Sequence, residues 1–392
     1  MRFGPVPFHH HIAMAIECYA TSSRPTAGVE AQAVFDLHRR LDLRPSVTSF
    51  TSLMCAYARS DSDPADKVEK VFHQMVKQWK AGDDFAKPNL HVYTSLLSAL
   101  LKSSNPRHFE KAQEYLLEMK EEGLKPDAHV YTTLMAAWSL RNCPEKAEVL
   151  FNQMEQDFRS GNSEAMPSFK AHSTRLIAWS KAGNPEMTST ALNDWIADVY
   201  SGVVKEKPDD RAFSALLQAW LRSDRPDAAQ KAEMGLKQMY HIAETQGFDC
   251  RPNARSFTSV ISAYAKLRDP NAAKRVVKLF LKLKLEAANH ANDPKMQPTP
   301  VTYGEVIVAL GRSGRGTKAE DFIFDLIKEM QAKPRQFWTE CNVVESFFGS
   351  AKHAISSSDF RRKNVIMDEL SRLDSIASPH NRNTYGSDTD WY

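Results

Sequence analysis

Prolines punctuate this chain at two alternating intervals, and that spacing leaves little choice of fold. Boundary prolines stand at Pro45, Pro88, Pro126, Pro167, Pro208, Pro252, Pro298 and Pro334, in steps of 43, 38, 41, 41, 44, 46 and 36 residues. A second proline follows five consecutive boundaries by 18 residues, at Pro106, Pro144, Pro185, Pro226 and Pro270, while Pro64 follows Pro45 by 19. Proline breaks a helix interior but suits the first helical position, where its missing N–H costs nothing. Each interval therefore holds a first helix of nearly constant length and a second helix opened by the second proline. Within residues 123–154, Tyr131, Leu134, Met135 and Trp138 fall at i, i+3, i+4 and i+7, and Ala147, Leu150, Phe151 and Met154 repeat that spacing. These are the apolar stripes of two amphipathic helices. One hairpin cannot bury both stripes and stacked copies can, so the spacing predicts an all-α solenoid of antiparallel helical hairpins.

The unequal steps vary between the second proline and the next boundary, where 81–85 (AGDDF) and 159–166 (RSGNSEAM) read as insertions. Each first helix opens with an aromatic or its substitute, at Phe50, Tyr93, Tyr131, His172, Phe213, Phe257 and Tyr303. Seven residues on comes Tyr57, Leu100, Trp138, Trp179, Trp220, Tyr264 or Leu310, always preceded by alanine. The alanine permits close approach of a neighbouring helix and the large residue fills the space beside it, so the tryptophans read as core. The pattern assigns 1–46 to a partial N-terminal repeat, with a first helix carrying Ile12, Ala15, Ile16 and Tyr19 and a second over 28–43. It assigns 47–335 to seven repeats and 336–377 to degenerate capping helices, with apolar positions Phe347, Phe348, Ala351 and Ile355, then Val365, Ile366, Leu370 and Leu373. The polar stretch 378–392 reads as a disordered tail.

A formal charge of +3 gives no overall basic footprint, but residues 254–340 hold 15 basic and 9 acidic side chains. That one stretch of the chain is therefore distinctly basic. Five scattered cysteines without a CxxC suggest neither zinc nor a disulfide framework and fit a reducing compartment. No apolar run reaches the length of a membrane span, and the start lacks the layout of a secretory signal. It reads as a helix under way, so any targeting segment lies upstream of Met1 or is absent.

With their proline boundaries, followed by Asp127 or Asn253 in two of them, and their opening aromatics, VYTTLMAAWSL, SFTSLMCAYAR, SFTSVISAYAK and VTYGEVIVALG resemble the pentatricopeptide repeat family in its repeat-only form. The likeness covers about 47–335, although nearly every repeat departs from the usual length. A tetratricopeptide array would show a Trp-x-x-Leu-Gly start and a steady period of about 34 residues, and neither is present. The resemblance implies a right-handed superhelix that binds single-stranded RNA in a mitochondrion or plastid, acting in RNA processing, stability or translation. It further implies one base per repeat, read by the residue after the opening aromatic together with the residue after the next boundary proline. The pairs are Thr51 with Asn89, Thr94 with Asp127, Thr132 with Ser168, Ser173 with Asp209, Ser214 with Asn253, Thr258 with Thr299, and Gly304 with Arg335. Asp only accepts hydrogen bonds, matching guanine or uracil; Asn donates and accepts, matching adenine or cytosine, and a short Thr or Ser leaves room for a purine. Read 5′ to 3′ along the repeats, the first five pairs ask for A-G-x-G-A. The same residue types also serve as helix N-caps, so that reading stays open beside the RNA one. Where the family usually places an aliphatic residue that sandwiches the base, this chain has Thr48, His91, His129, Lys170, Arg211, Arg255 and Val301. The His and Arg planes suit base stacking, and Lys or Arg suits phosphate, unless these positions are only a solvated face.

Catalytic modules attached to some relatives are not evident. The chain has no His-x-Glu with a later Cys-x-x-Cys, and the 57 residues after Arg335 are too few for a nuclease domain. His9, His10 and His11 lack a partner carboxylate or thiolate in register, and GRSGRG around Gly314 follows a helix rather than a strand, leaving Arg312 and Arg315 as backbone-contact candidates. The expectation is a binding module rather than an enzyme, without cofactor, metal or membrane, working with single-stranded RNA and with other RNA-processing proteins. The alternative is a protein-binding helical scaffold, such as a subunit of an organellar ribosome or RNA-processing complex.

Overall fold

The computed structural model describes residues 9–22, 24–267, 269–313, 317–333, 337–338 and 344–377. Expectations on Pro334, Arg335, Arg315, Cys341 and the segment 378–392 lie outside them. Two compact units divide the chain, Met1–Ala178 and Trp179–Tyr392. Among the described residues of each, the regular structure is helical.

The first unit begins with α1 (His9–Ala20), α2 (Ala27–Phe35) and α3 (Leu37–Arg40). The second helix read over 28–43 is thus broken at Asp36, beyond which only one further turn forms. Three hairpins follow: α4 (Val47–Ser60) with α5 (Ala65–Lys80), α6 (Leu90–Lys102) with α7 (Pro106–Glu121), and α8 (Ala128–Leu140) with α9 (Pro144–Arg159). The division between units falls within α10 (Phe169–Lys181). The second unit continues with α11 (Pro185–Tyr200), then α12 (Asp210–Arg222) with α13 (Ala228–Gln246), α14 (Ala254–Ala265) with α15 (Pro270–Asn289), and α16 (Pro300–Ser313) with α17 (Thr317–Gln331). It ends with α18 (Val344–Ser356) and α19 (Lys363–Ala377).

Helix starts follow from local chemistry. Pro106, Pro144, Pro185 and Pro270 occupy the first turn of α7, α9, α11 and α15, whereas Pro64 is the N-cap of α5 and Pro226 lies in the turn before α13. The long steps have a simple origin: α13 and α15 run 19 and 20 residues where α7, α9 and α11 run 16. The inserted loops at 81–85 and 159–166 turn through Gly82 and Gly161, both at φ +97°, a conformation costly for any residue with a Cβ. Each then forms a 3-10 turn that tucks in a small buried side chain, Ala86 or Ala165, and packs against the hairpin it follows.

The two helix layers are held by different forces. First helices pack directly on one another, α4 on α6 and α6 on α8 in the first unit, α12 on α14 and α14 on α16 in the second. Ala56, Ala99, Ala219 and Ala309 are fully buried there, so short side chains let the backbones approach. Second helices are instead bridged by charge. Lys111 Nζ reaches both oxygens of Glu69 at 2.7 and 2.8 Å, Arg275 Nε donates to Glu233 at 2.7 Å, and Lys284 Nζ donates to Glu329 at 2.7 Å. The opening tyrosines tie the layers together, Tyr93 donating to Glu118, Tyr131 to Asp157 and Tyr303 to Glu329.

Trp138 and Trp179 are buried, while Trp220 is half-buried with the Arg225 guanidinium 5.5 Å from its ring. In α18 and α19, Phe348, Ala351, Ile355, Ile366, Leu370 and Leu373 are buried, but Val365 is half exposed and faces away from that core. α18 packs on α16 so closely that a Cβ on Gly311 would meet Ala354 at 3.0 Å.

Candidate functional site

The residues that follow the boundary prolines share one local role. Asn89, Asp127, Asp209 and Asn253 are the N-caps of α6, α8, α12 and α14. Asn89 Oδ1 accepts from Val92 N at 3.1 Å, Asp127 Oδ1 from Val130 N at 2.8 Å, and Asp209 Oδ1 from Arg211 N and Ala212 N, both at 3.1 Å. Ser168 Oγ and Thr299 Oγ1 accept from Ala171 N and Thr302 N, each at 3.4 Å. A capping bond engages only one end of an Asn or Asp side chain. Among the described residues, no hydrogen bond reaches Asn89 Nδ2, Asp127 Oδ2 or Asp209 Oδ2. Each cap therefore fixes its side chain and leaves a second polar atom of known type uncommitted, a donor on Asn89 and an acceptor on Asp127 and Asp209.

The partners in these pairs lie deeper. Thr51 and Thr132 are buried, Thr94 and Ser173 half-buried. Thr51, Thr94 and Thr132 donate to the carbonyls of Val47, Leu90 and Ala128, one turn earlier, at 2.7, 2.8 and 2.6 Å. Burial in a fixed rotamer makes them a short floor rather than a hydrogen-bonding edge.

The fifth and sixth pairs differ. Ser256 Oγ donates to Asn253 Oδ1 at 3.2 Å and lies 3.1 Å from Ser214 Oγ, while Asn253 Nδ2 donates to Asp210 Oδ2 at 2.5 Å. Asn253 and Ser214 are only 7% and 2% exposed. Thr302 Oγ1 stands 2.7 Å from Thr258 Oγ1 and 3.2 Å from Thr299 Oγ1, and Thr258 donates onward to Ala254 O at 2.7 Å. Pair members are thus brought together around a third hydroxyl. For the seventh pair, Gly304 is buried.

His91, His129, Lys170, Arg211 and Arg255 are all exposed in the first turns of their helices. At the opposite helix ends lies a feature that the motif reading missed. Arg59 donates to Ala20 O at 2.7 Å, Lys102 to Ala58 O at 2.8 Å and Arg141 to Ser103 O at 2.8 Å. In the second unit Arg222 donates to Ser180 O at 3.0 Å, Lys266 to Leu221 O at 2.5 Å and Arg312 to Ala265 O at 3.2 Å. Each cation satisfies an end carbonyl of the preceding first helix and meets the negative end of its dipole. The available signal was a basic residue nine or ten places after each opening aromatic.

Elsewhere, five of the fifteen cations in 254–340 lie on α15: Lys274, Arg275, Lys278, Lys282 and Lys284. With Lys318 and Lys328 on α17, second helices carry seven of the fifteen, against Arg255 and Arg312 on first helices. Asp66, Glu69 and His108 cluster within 4.8 Å, but the Lys111 ammonium already bridges the Glu69 carboxylate. Of the histidine cluster at the start of α1, His11 is exposed and the His9 and His10 side chains lie outside the described residues. No described helix is long and apolar enough to cross a membrane.

Repeated hairpins with layered first and second helices define an α-solenoid of the helical-repeat class. The chain carries pentatricopeptide repeats: the family profile for the pentatricopeptide repeat domain matches residues 80–141, and that for the PPR repeat matches 129–157 and 255–285. The fold is similar to that of the pentatricopeptide repeat protein PPR10 from maize, with a TM-score of 0.50 at 15% identity over 98% of this chain and 51% of that one. PPR10 in complex with an 18-nt psaJ RNA element aligns with a TM-score of 0.42 at 15% identity, over 95% of this chain and 57% of that one. The chain thus spans about half the length of these structures. No curated protein matches the sequence.

Proposed function

We propose that the protein binds single-stranded RNA along its first helices and selects bases through its capping residues, as part of RNA processing, stability or translation in a mitochondrion or plastid. One observation carries this reading: Asn89, Asp127 and Asp209 each hold one side-chain atom on the cap and leave the other uncommitted. The cap supplies preorganisation, so a base edge meets an oriented donor or acceptor without a further ordering cost. The uncommitted atoms ask for A, G and G at the first, second and fourth bases, with Ser168 leaving the third undecided. Exposed His91, His129, Lys170, Arg211 and Arg255 add planes and charge for bases and phosphates. PPR10, similar in fold, has been crystallised with an RNA element, which is consistent with this use of such a scaffold.

A second reading, a protein-binding scaffold, is favoured by one surface. Between α13 and α15 runs a groove lined by Leu236, Leu279, Leu281 and Leu285 and edged by Lys237, Lys278 and Lys282. Leu281 and Leu285 are 50% and 63% exposed, which suits an acidic amphipathic segment. Fluorescence anisotropy with a labelled single-stranded A-G-x-G RNA, its duplex and its DNA counterpart separates the readings. Preference for the single-stranded RNA supports the first; equal or absent binding to all three removes it.

A further inference from the structure

We infer that the side chain at the third helical position of each first helix decides whether the capping residue can read a base, and that Ser256 and Thr302 silence the fifth and sixth pairs. This inference rests on the base-reading role proposed for the other pairs. In α6, α8, α10 and α12 the third position holds Val92, Val130, Ala171 and Ala212, none of which can hydrogen-bond through its side chain. There the caps keep an uncommitted polar atom or hydroxyl. In α14 and α16 the position holds a fully buried hydroxyl, Ser256 or Thr302.

The consequences follow donor by donor. Ser256 O–H donates to Asn253 Oδ1, so the Ser214 hydroxyl points its hydrogen at Ser256, and the Asn253 oxygen already holds the capping Ser256 N at 3.1 Å. Asp210, where the corresponding residues of other first helices are apolar (Val47, Leu90, Ala128, Phe169), draws the Asn253 amide to its carboxylate. Oxygen and amide are both turned inward. In the sixth pair Thr258 gives its hydrogen to Ala254 O, so Thr302 donates to Thr258 and Thr299 to Thr302, a closed relay of three hydroxyls. A base at either place would have to break buried hydrogen bonds to be recognised, and loses the selectivity it would gain. Ser256, Thr302 and Asp210 are positioning residues acting through Asn253 and Thr299.

The test is a positional scan with RNAs of the form A-G-x-G-N, the last base varied through A, C, G and U. The wild type should discriminate at the second and fourth bases and treat the four fifth bases alike within about two-fold. Asp210→Ala with Ser256→Ala, the latter already represented by Ala171 and Ala212, should release Asn253 and create a preference for adenine over guanine of roughly 5-fold or more at the fifth base only. Val130→Ser supplies the converse, weakening the guanine preference at the second base. Unchanged discrimination at the fourth base in all variants serves as the control for folding. Wild-type adenine selection at the fifth base overturns the inference, as does a double variant that gains nothing while the second and fourth bases are still read. Loss of discrimination everywhere in the wild type instead overturns the base-reading role itself.

Discussion

Replacing Asp127 by Asn changes what faces outward while leaving the helix start intact. Asp127 caps α8 through a 2.8 Å bond from Val130 N to Oδ1, and Asn makes the same bond. The stability change is therefore confined to the weaker interaction of a neutral side chain with the helix dipole, about 0.3 to 1 kcal/mol. Asp127→Ala, which removes the cap outright, should cost about 1 kcal/mol and so provides the reference for a purely structural role. The outward oxygen Oδ2, an acceptor, becomes an NH2 donor in the Asn variant. Guanine offers N–H groups on the edge that Asp can accept from, whereas adenine pairs an N–H with an acceptor nitrogen that only an amide can match. A correct against an incorrect pairing is worth about 1 to 3 kcal/mol by analogy with bidentate base contacts, or roughly 5- to 150-fold in affinity. Competition binding with A-G-x-G and A-A-x-G oligonucleotides on wild type and Asp127→Asn reads this directly: the wild type should prefer the first and the variant shift toward the second. If both proteins rank the two RNAs identically, Asp127 is a cap and nothing more.

Ala99→Leu places a bulky side chain where α6 meets its neighbours with no exposed surface, and should lower the free energy of unfolding by about 1 to 3 kcal/mol in a urea titration. Burial, reinforced by the nearby Arg175 guanidinium, pushes the His172 pKa down from 6.5 to about 4. The unfolded chain then takes up the proton between those values, so wild-type stability falls as pH drops through that window, by about 2 kcal/mol at pH 5. His172→Phe, matching the aromatic at Phe50, Phe213 and Phe257, should abolish this loss while matching wild type near pH 7.5, measured by thermal melts at both pH values. Changing exposed Lys170, Arg211 and Arg255 together to Ala should weaken binding to all RNAs alike and reduce the salt dependence by roughly one phosphate per residue lost. An unaltered salt slope excludes them from the backbone path.

The proline intervals made the hairpins legible because they carry backbone information directly: a residue without an N–H can stand only where a helix begins or ends. The caps were equally visible as residue types, since Asn, Asp and Ser after proline have few other uses at a helix start. What escaped depends on neighbours distant in sequence. Arg59, Lys102 and Arg141 recur at a legible spacing, but their carbonyl partners lie 38 to 44 residues earlier. The Ser256 hydroxyl looks like any other serine until Ser214, 42 residues away, is brought 3.1 Å from it. The break at Asp36 and the outward turn of Val365 likewise reflect which side of a short helix finds something to pack on, and periodicity alone does not fix that.

The claim that capping side chains select bases is tested most directly by selection from a randomised single-stranded RNA pool on the purified protein, followed by sequencing of the bound fraction. The account predicts a shared A-G-x-G core in one register, with no fixed base at the two positions that follow. An enriched core of different composition, or a bound pool no different from the input, would contradict it.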